Sequence, residues 1–395
     1  MSKRRSADIK GIFVDIAIAD FGTEEEAMQA YFREGEQRAR ALGNRGPIRL
    51  TAGGRLAPEI LDAYVRTGFY IFEGVLRPEE LIELRAEFHG LFERLPACPG
   101  SSLDAKGRPA LGVDLSESIV RWTKPLGDPY GGTSKVGGRA PVKMIEPTPA
   151  SDLPAEVPYL ILGPLQFSDA ALRLYGHPSL LAVAASVNGD DFAPFNEVFI
   201  VKKPGEGGSF AWHQDGTTHW NSPDWTPLTH GFNFMAQLYD CTAANGLWYI
   251  PGSHAWGKAD IKARVELAGG NRLPDAVPLV CKAGDVAIHN RQLVHASFPN
   301  TSPDWRVTLN LGFHQRRSLL GVTTRGMDGS LQCYDEDRVR QRSDVIGHAI
   351  EARRQRFPDE TPFRYGPHVA AGKAFRWSDE ARAKIRDYHL RDMLI

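Results

Sequence analysis

The sequence has few cysteines, and none of them lie close together. The lack of a C-x-x-C pair argues against a zinc ribbon, and the wide spacing gives no disulfide framework. We therefore expect a reducing, cytoplasmic setting. The four cysteines are Cys98, Cys241, Cys281 and Cys333.

Long apolar runs are also missing. The short apolar stretch near the N-terminus is interrupted by Asp15 and Asp20, and it lacks a convincing signal-peptide cleavage site. No later segment approaches the length that is needed to span a bilayer. The sequence therefore predicts a protein without a membrane anchor.

There is no excess of charge of either sign. The 395 residues include 47 lysines and arginines and 48 aspartates and glutamates. Without a net positive field, the chain is not expected to bind nucleic acid. Hydrophobic residues make up 42% of the sequence, which is enough for the core of a soluble globular protein.

The first half of the chain predicts mainly helices. Apolar residues recur at helical spacing over residues 77–95, after a short strand over residues 67–72. Residues 97–158 are rich in glycine and proline and predict long loops, of the kind that form lids or disordered segments. Two further helices are predicted over residues 168–175 and 178–188.

The second half begins with short strand candidates. Because glycine, proline and asparagine separate them, they predict an all-β barrel or jelly roll rather than alternating βα units. Two charged helices in the tail, around residues 335–356 and 378–390, are expected to pack against the barrel or against a second subunit of a homo-oligomer. The strand candidates cover residues 198–201, 232–240, 247–250, 285–289 and 306–313.

The stretch WHQD suggests a metal site. Residues two apart in a strand point to the same face, so His213 and Asp215 can present an imidazole and a carboxylate to one ion. A chain with twelve histidines is expected to contain about one such pair by chance. The later sequence strengthens the signal, because His295 supplies a second imidazole. Two histidines and one carboxylate form the facial triad of non-haem Fe(II) oxygenases.

Arg306 follows His295 on a strand of alternating character. Arg306, Thr308 and Asn310 alternate with apolar residues, so the three polar side chains share one face. If helices cover the outside of the barrel, this face points inward. An arginine there can clamp a carboxylate through two parallel hydrogen bonds. Together these features indicate an oxygenase that uses an acidic cosubstrate.

Four motifs in this order resemble the phytanoyl-CoA dioxygenase-like family of Fe(II)- and 2-oxoglutarate-dependent oxygenases. They are TGFYIFEGVLRPEEL, WHQD, NGLWYIPGSH, and the GD that precedes H-A-S and Arg306. The resemblance implies a mainly β fold with flanking helices, a double-stranded β-helix that forms a jelly-roll, cupin-like barrel. We accordingly predict a single oxygenase domain over residues 1–395. It comprises an N-terminal extension (1–55), a jelly-roll core with covering helices (56–316) and a helical C-terminal extension (317–395).

The resemblance also implies roles for individual residues. His213, Asp215 and His295 would bind Fe(II) and form the catalytic centre. Arg306 would pair with the distal carboxylate of 2-oxoglutarate, and Ser297 would support that carboxylate. The implied dioxygenase reaction consumes O2, releases succinate and CO2, and hydroxylates or otherwise oxidises an unactivated C–H bond.

Further polar residues are weaker candidates for the cosubstrate pocket, since each fits equally well as a hydrogen-bonded interior group. His289 is interpreted as an interior residue or as a partner of a metal ligand. The weaker cosubstrate candidates are Asn196, Gln237 and Lys143.

Aromatic residues beside the first metal ligands predict the mouth of the barrel. Trp212, His219 and Trp220 are the predicted substrate contacts. An apolar wall with few hydrogen-bonding groups suits a free small-molecule metabolite with a ring or hydrocarbon body. Lys202 and Lys203 are interpreted as part of a solvated strand end.

Two other classes of protein remain open at this point. A zinc-dependent hydrolase can use the same three ligands, although it gives Arg306 no role. A barrel that binds a small ligand without turnover is a second alternative. It is disfavoured because a buried carboxylate without a metal is costly.

Overall fold

The computed structural model describes residues 5–7, 13–15, 20–115, 117–325 and 331–386. Within these ranges, no helix is both long enough and apolar enough to cross a membrane. The strands, in chain order, are β1 (Arg5–Ala7), β2 (Phe13–Asp15), β3 (Arg45–Gly46), β4 (Phe69–Phe72), β5 (Val120–Thr123), β6 (Val157–Leu162), β7 (Ala193–Lys202), β8 (Phe210–His213), β9 (Phe232–Gln237), β10 (Trp248–Tyr249), β11 (Val277–Pro278), β12 (Val286–Asn290), β13 (His295–Ser297), β14 (Arg306–His314), β15 (Thr323–Arg325) and β16 (Leu331–Cys333).

Helices precede, interrupt and follow the strand-rich region. They are α1 (Glu25–Ala41), α2 (Pro58–Thr67), α3 (Pro78–Phe92), α4 (Asp169–Tyr175), α5 (Pro178–Asn188), α6 (Ile261–Leu267), α7 (Arg316–Leu319), α8 (Glu336–Arg356), α9 (Gly366–Ala370) and α10 (Asp379–Lys384).

Two sheets form the centre of the molecule. The larger has the order β3-β4-β12-β9-β14-β7-β6-β5, and the smaller has the order β11-β10-β13-β8. From β7 to β14 the chain passes repeatedly between the two sheets, and the pairings among these strands are antiparallel. Side chains from both sheets line one cavity. This is the predicted mainly β, jelly-roll fold with flanking helices, so the fold class is confirmed.

The alternation along β14 explains how the barrel is oriented. Leu309 and Leu311 belong to the main hydrophobic core, which they share with residues of α2, α3, α4, α5 and α8. Asn310, between them, lines the cavity. Successive side chains of a strand point to opposite faces. The helices therefore cover the outside of the large sheet, and the polar residues of β14 point inward as predicted.

The helix α8 packs on the barrel of its own chain. Nη1 of Arg353 donates to Oε1 of Glu80 in α3 at 2.7 Å. Gly176, which follows α4, lies so close to α8 that a Cβ atom there would be 2.3 Å from the carbonyl oxygen of Ala349. Of the two partners predicted for the tail helices, the barrel is the one observed for α8. The predicted helix over 378–390 appears as α10 and extends beyond the described residues.

The helix α1 covers the outer face of the small sheet. The ring of Tyr31 stacks on that of Trp248 in β10, with 4.4 Å between the ring centroids. Such a pair contributes about 0.5–1.5 kcal/mol beyond the burial of its area. A Cβ atom on Gly35 would lie 2.4 Å from Cη2 of Trp248, so only glycine permits this close approach. The N-terminal extension is thus packed against the strand beside β13.

Several strands were missed in the sequence. The strand β5 lies inside the glycine- and proline-rich segment predicted as loops, and β6 begins at its end; both extend the large sheet. The strands β11 and β13 have only two and three residues. Such short strands are held by their neighbours rather than by a periodic pattern, so the sequence gives little sign of them.

Candidate active site

Three buried side chains meet between β8 and β13. His213 ends β8, His295 begins β13, and the two residues are partners in the strand register. Asp215 follows His213 by two residues, and its Oδ1 lies 3.5 Å from Nε2 of His213. One ligand atom from each residue lies within 4.8 Å of the others. The structure therefore brings together the three predicted metal ligands.

Backbone carbonyls orient both imidazole rings. Nδ1 of His213 lies 2.7 Å from the carbonyl oxygen of Ala211, and Nδ1 of His295 lies 2.8 Å from that of Leu293. A carbonyl oxygen can only accept, so each Nδ1 carries the proton and each Nε2 keeps its lone pair. Burial lowers the pKa of His295 well below its usual range. A neutral imidazole is the form that binds a metal.

Positive groups and an amide surround Asp215. Nη1 of Arg139 lies 3.2 Å from Oδ1, and Nε of Arg291 lies 3.8 Å from Oδ2. Nδ2 of Asn233 donates to Oδ2 at 3.1 Å. Burial alone would raise the pKa of Asp215, but Arg139 and the hydrogen bond with His213 hold it well below its usual range. The carboxylate is therefore ionised, as a metal ligand must be.

Asn233 links the metal ligand to a second buried histidine. Its Nδ2 also lies 3.2 Å from Nε2 of His289, and Nδ1 of His289 lies 3.2 Å from the hydroxyl of Tyr249. If the amide donates to Nε2, then Nδ1–H donates to the tyrosine. Burial lowers the pKa of His289 to about 4. His289 is thus both interior and close to a ligand, which unites the two roles considered for it.

A pair of buried cations lies at the start of β14. Arg306 and its register partner Lys202 on β7 are both 0% exposed. Among the described residues, none accepts a hydrogen bond from the three guanidinium nitrogens of Arg306. Nζ of Lys202 donates to Oγ of Ser297 at 2.8 Å and to the carbonyl oxygen of Phe298 at 2.6 Å. Ser297 and Arg306 are therefore linked to one another through Lys202.

The interpretation of Lys202 as a residue at a solvated strand end was wrong. The chain after β7 folds back over it, and a Cβ atom on Gly207 would lie 2.4 Å from Cβ of Lys202. Only a glycine fits against the strand at this distance. Lys203, the next residue, points the other way and pairs with Glu206 at 2.6 Å, so it fits the original interpretation better.

The weaker cosubstrate candidates occupy three different environments. Asn196 lines the cavity beside the triad. Gln237 is buried, accepts a hydrogen bond from Thr308 at 2.7 Å and donates to the carbonyl of Met235 at 3.1 Å, as an interior polar group does. Lys143 is placed elsewhere, because its side chain is 57% exposed and pairs with Glu146. Its position depends on the path of a long loop, which the sequence does not define.

The triad lies in a cavity of about 470 Å³. Its wall includes residues of the loop-rich segment, of β7 and of β8, and the cationic side chains in the wall outnumber the acidic ones. The acidic side chains are Glu197 and Asp215, and the cationic ones are Arg121, Lys135, Arg139 and Arg291. Aromatic rings in the wall are those of Trp122, Tyr130, Phe195 and Phe210.

The predicted substrate contacts lie outside this wall. Trp212 is fully buried, and its indole nitrogen donates to the carbonyl of Asn271 at 2.9 Å. It alternates with His213 along β8 and so points away from the triad. Trp220 packs on His230, with 4.5 Å between ring centroids, and His219 also lies against that ring. The prediction of these contacts is corrected, because the aromatic wall comes from other segments.

Comparison with known proteins supports the resemblance seen in the sequence. Residues 160–308 match the family model described as Phytanoyl-CoA dioxygenase (PhyH), a stretch that contains the triad and Arg306. Over 127 residues the chain is 36% identical to Phytanoyl-CoA dioxygenase 1 of Oryza sativa subsp. japonica, covering 30% of this chain and 43% of that protein. For Phytanoyl-CoA dioxygenase of Arabidopsis thaliana the identity is 35% over 127 residues, covering 29% and 41%. The match thus spans less than half of either relative.

Two solved structures illustrate the likeness of fold. EctD from S. alaskensis, with 2-oxoglutarate and 5-hydroxyectoine, is 21% identical, with a TM-score of 0.47 over 70% of this chain and 82% of that one. HygX from Streptomyces hygroscopicus, with nickel and 2-oxoglutarate bound, is 16% identical, with a TM-score of 0.42 over 66% and 87%.

Proposed function

We propose that this protein is an Fe(II)- and 2-oxoglutarate-dependent dioxygenase that hydroxylates, or otherwise oxidises, an unactivated C–H bond of a small-molecule metabolite. One observation carries the proposal. A buried triad of two neutral imidazoles and an ionised carboxylate shares the barrel interior with two buried cations that have no carboxylate partner among the described residues. The triad suits a divalent metal, and the cations suit an acidic cosubstrate.

The three ligands fit Fe(II) by their chemistry. Nε2 of His213, Nε2 of His295 and a carboxylate oxygen of Asp215 form a 2-His-1-carboxylate set, which leaves positions open on the ion. The carbonyl groups that fix both rings reduce the freedom that a metal would otherwise have to restrict. Asn233 holds the second carboxylate oxygen, so the first can face the ion.

The buried cations fit 2-oxoglutarate. Arg306 offers a planar fork of N–H donors, and a carboxylate accepts two of them in parallel. Burial lowers the pKa of Arg306, yet an arginine remains protonated in proteins. Its charge therefore requires an anion, and a zinc hydrolase supplies none at this position. The distal carboxylate of 2-oxoglutarate meets that requirement.

Bound iron would supply O2 activation coupled to oxidative decarboxylation of 2-oxoglutarate to succinate and CO2, with transfer of one oxygen atom to the substrate. The protein's own contribution is positioning. Arg306 and Ser297 fix the far end of the keto acid, and the sheets exclude water around it. The apolar wall, which includes Phe195 and Phe210, aligns the C–H bond of the substrate with the metal.

The cavity also bears on the substrate. Its volume of about 470 Å³ suits a small metabolite, and its aromatic rings suit a ring or hydrocarbon body. The arginines and the lysine of the wall favour a metabolite that also carries an anionic group, a property that the sequence did not suggest. The substrate, O2 and 2-oxoglutarate are the partners that we propose.

An anaerobic titration tests the proposal. Fe(II) is added to the folded protein without O2, and 2-oxoglutarate is then titrated while the visible spectrum is followed. We expect the weak charge-transfer band of a keto acid chelated to iron. His295→Ala is the matched control and should give no band. A folded wild-type protein that binds iron but never develops the band would overturn the proposal, and activity restored by zinc alone would favour the hydrolase.

A further inference from the structure

Two cations lie next to each other in the barrel with no counter-charge in contact. Lys202 and Arg306 are cross-strand partners on β7 and β14, and neither is exposed. The hydrogen-bond partners of Lys202 are neutral oxygen atoms, those of Ser297 and Phe298. Burying one charge without a partner is costly, and burying two of the same sign side by side is worse. Such an arrangement is stabilised when an anion binds between them.

The hydrogen bonds of Lys202 leave two donors available. An ammonium group has three N–H bonds and no acceptor. Two of them are directed at Ser297 and Phe298, so one remains. Because Lys202 can only donate, the oxygen of Ser297 must accept, and the serine's own O–H is left to donate elsewhere. An N–H of Lys202 and the O–H of Ser297 can therefore both serve a bound carboxylate.

The surrounding charges support the same conclusion. Burial lowers the pKa of Lys202 well below its usual value, and Arg306 lowers it further. Cys241 and Asp128 act in the opposite direction, but they do not outweigh burial. A methionine would fill this space without a desolvation penalty. The lysine therefore costs stability in the absence of a ligand, as residues that serve a binding site often do.

We propose that Lys202 is a specificity-determining residue for the cosubstrate: with Arg306 it binds the distal carboxylate of 2-oxoglutarate, and it holds Ser297 so that the serine hydroxyl donates to the same carboxylate. The inference rests on the proposed function and goes beyond it. Lys202 selects a keto acid with a second carboxylate over one whose chain ends in a methyl group. Its role is confined to the end of the cosubstrate far from the metal.

Calorimetry with two keto acids of equal length tests this inference. 2-Oxoglutarate and 2-oxopentanoate, which lacks the distal carboxylate, are titrated into Fe(II)-loaded protein without O2. In Lys202→Met we expect affinity for 2-oxoglutarate to fall on the order of 10- to 100-fold, as for loss of one partner of a buried charge pair. Affinity for 2-oxopentanoate should stay within about twofold, and the melting temperature should equal or exceed that of the wild type.

Lys203→Met is the matched control, because Lys203 is adjacent in sequence and pairs with Glu206. It should leave both affinities unchanged. Should Lys202→Met fold poorly, Ser297→Ala provides a second variant, which must also weaken binding of 2-oxoglutarate alone. Equal loss for both keto acids, or no loss in either variant, would contradict the role of Lys202. If the wild type binds neither keto acid, the proposed function fails as well.

Discussion

His213 and His295 lie opposite each other on β8 and β13, with their ring centroids 4.1 Å apart. We expect His295→Ala to abolish tight Fe(II) binding and to leave the fold intact, because it removes one of three ligands. Iron content after gel filtration and circular dichroism measure the two outcomes.

The matched control for this change is His219→Asn. His219 has a backbone φ of 65°, which asparagine tolerates, and it lies outside the cavity wall. This variant should keep full iron occupancy. If His295→Ala retained iron as well, the assignment of the triad would be wrong.

Removing Arg306 should affect the cosubstrate far more than the metal. In Arg306→Ala a binding partner of a buried carboxylate is lost, which costs about 2–5 kcal/mol. The concentration of 2-oxoglutarate needed for half-maximal succinate formation should therefore rise steeply, while Fe(II) affinity changes little. Arg306→Lys should restore only part of the loss, since lysine lacks the planar fork. An unchanged 2-oxoglutarate requirement would place the clamp elsewhere.

Asn233 should tune the metal site through Asp215. Asn233→Ala removes the hydrogen bond to Oδ2, and loss of such an outer contact typically weakens metal binding 10- to 100-fold. Unfolding should also become easier by about 1–3 kcal/mol, because a buried carboxylate oxygen loses its donor. Metal competition and thermal unfolding measure these effects. Asn310→Ala, another asparagine in the cavity wall, is the control that should spare Fe(II) affinity.

Binding of 2-oxoglutarate should take up protons at alkaline pH. Burial, then Arg306, lowers the pKa of Lys202 in the free protein, with Cys241 and Asp128 opposing weakly. A bound carboxylate raises that pKa, so the complex holds the proton over a pH range where the free protein has lost it. Affinity is therefore full below the lowered pKa and declines as pH rises through it. Calorimetry in two buffers of different ionisation enthalpy reports the uptake, which Lys202→Met should abolish.

The sequence predicted those parts of the site that lie on regular strands. The alternation along β14 placed Arg306 inside the barrel, and the two-residue spacing of His213 and Asp215 placed both on one face. It did not predict Arg139, because that residue reaches Asp215 from a loop without periodicity. It also missed the burial of Lys202, which depends on the chain turning back at Gly207. Local pattern defines a strand's faces, whereas tertiary crossings define what covers them.

The stacking of Tyr31 on Trp248 sets the minimal length of a working enzyme. Trp248 is the register partner of Ala296, and Tyr249 is that of His295, so the strand that α1 supports is the one that carries a metal ligand's neighbour. A fragment trimmed to the region of family resemblance would keep every ligand and the arginine clamp. It would also expose the indole to water and leave the small sheet without its outer layer. The catalytic unit is therefore longer than the segment that holds its chemistry.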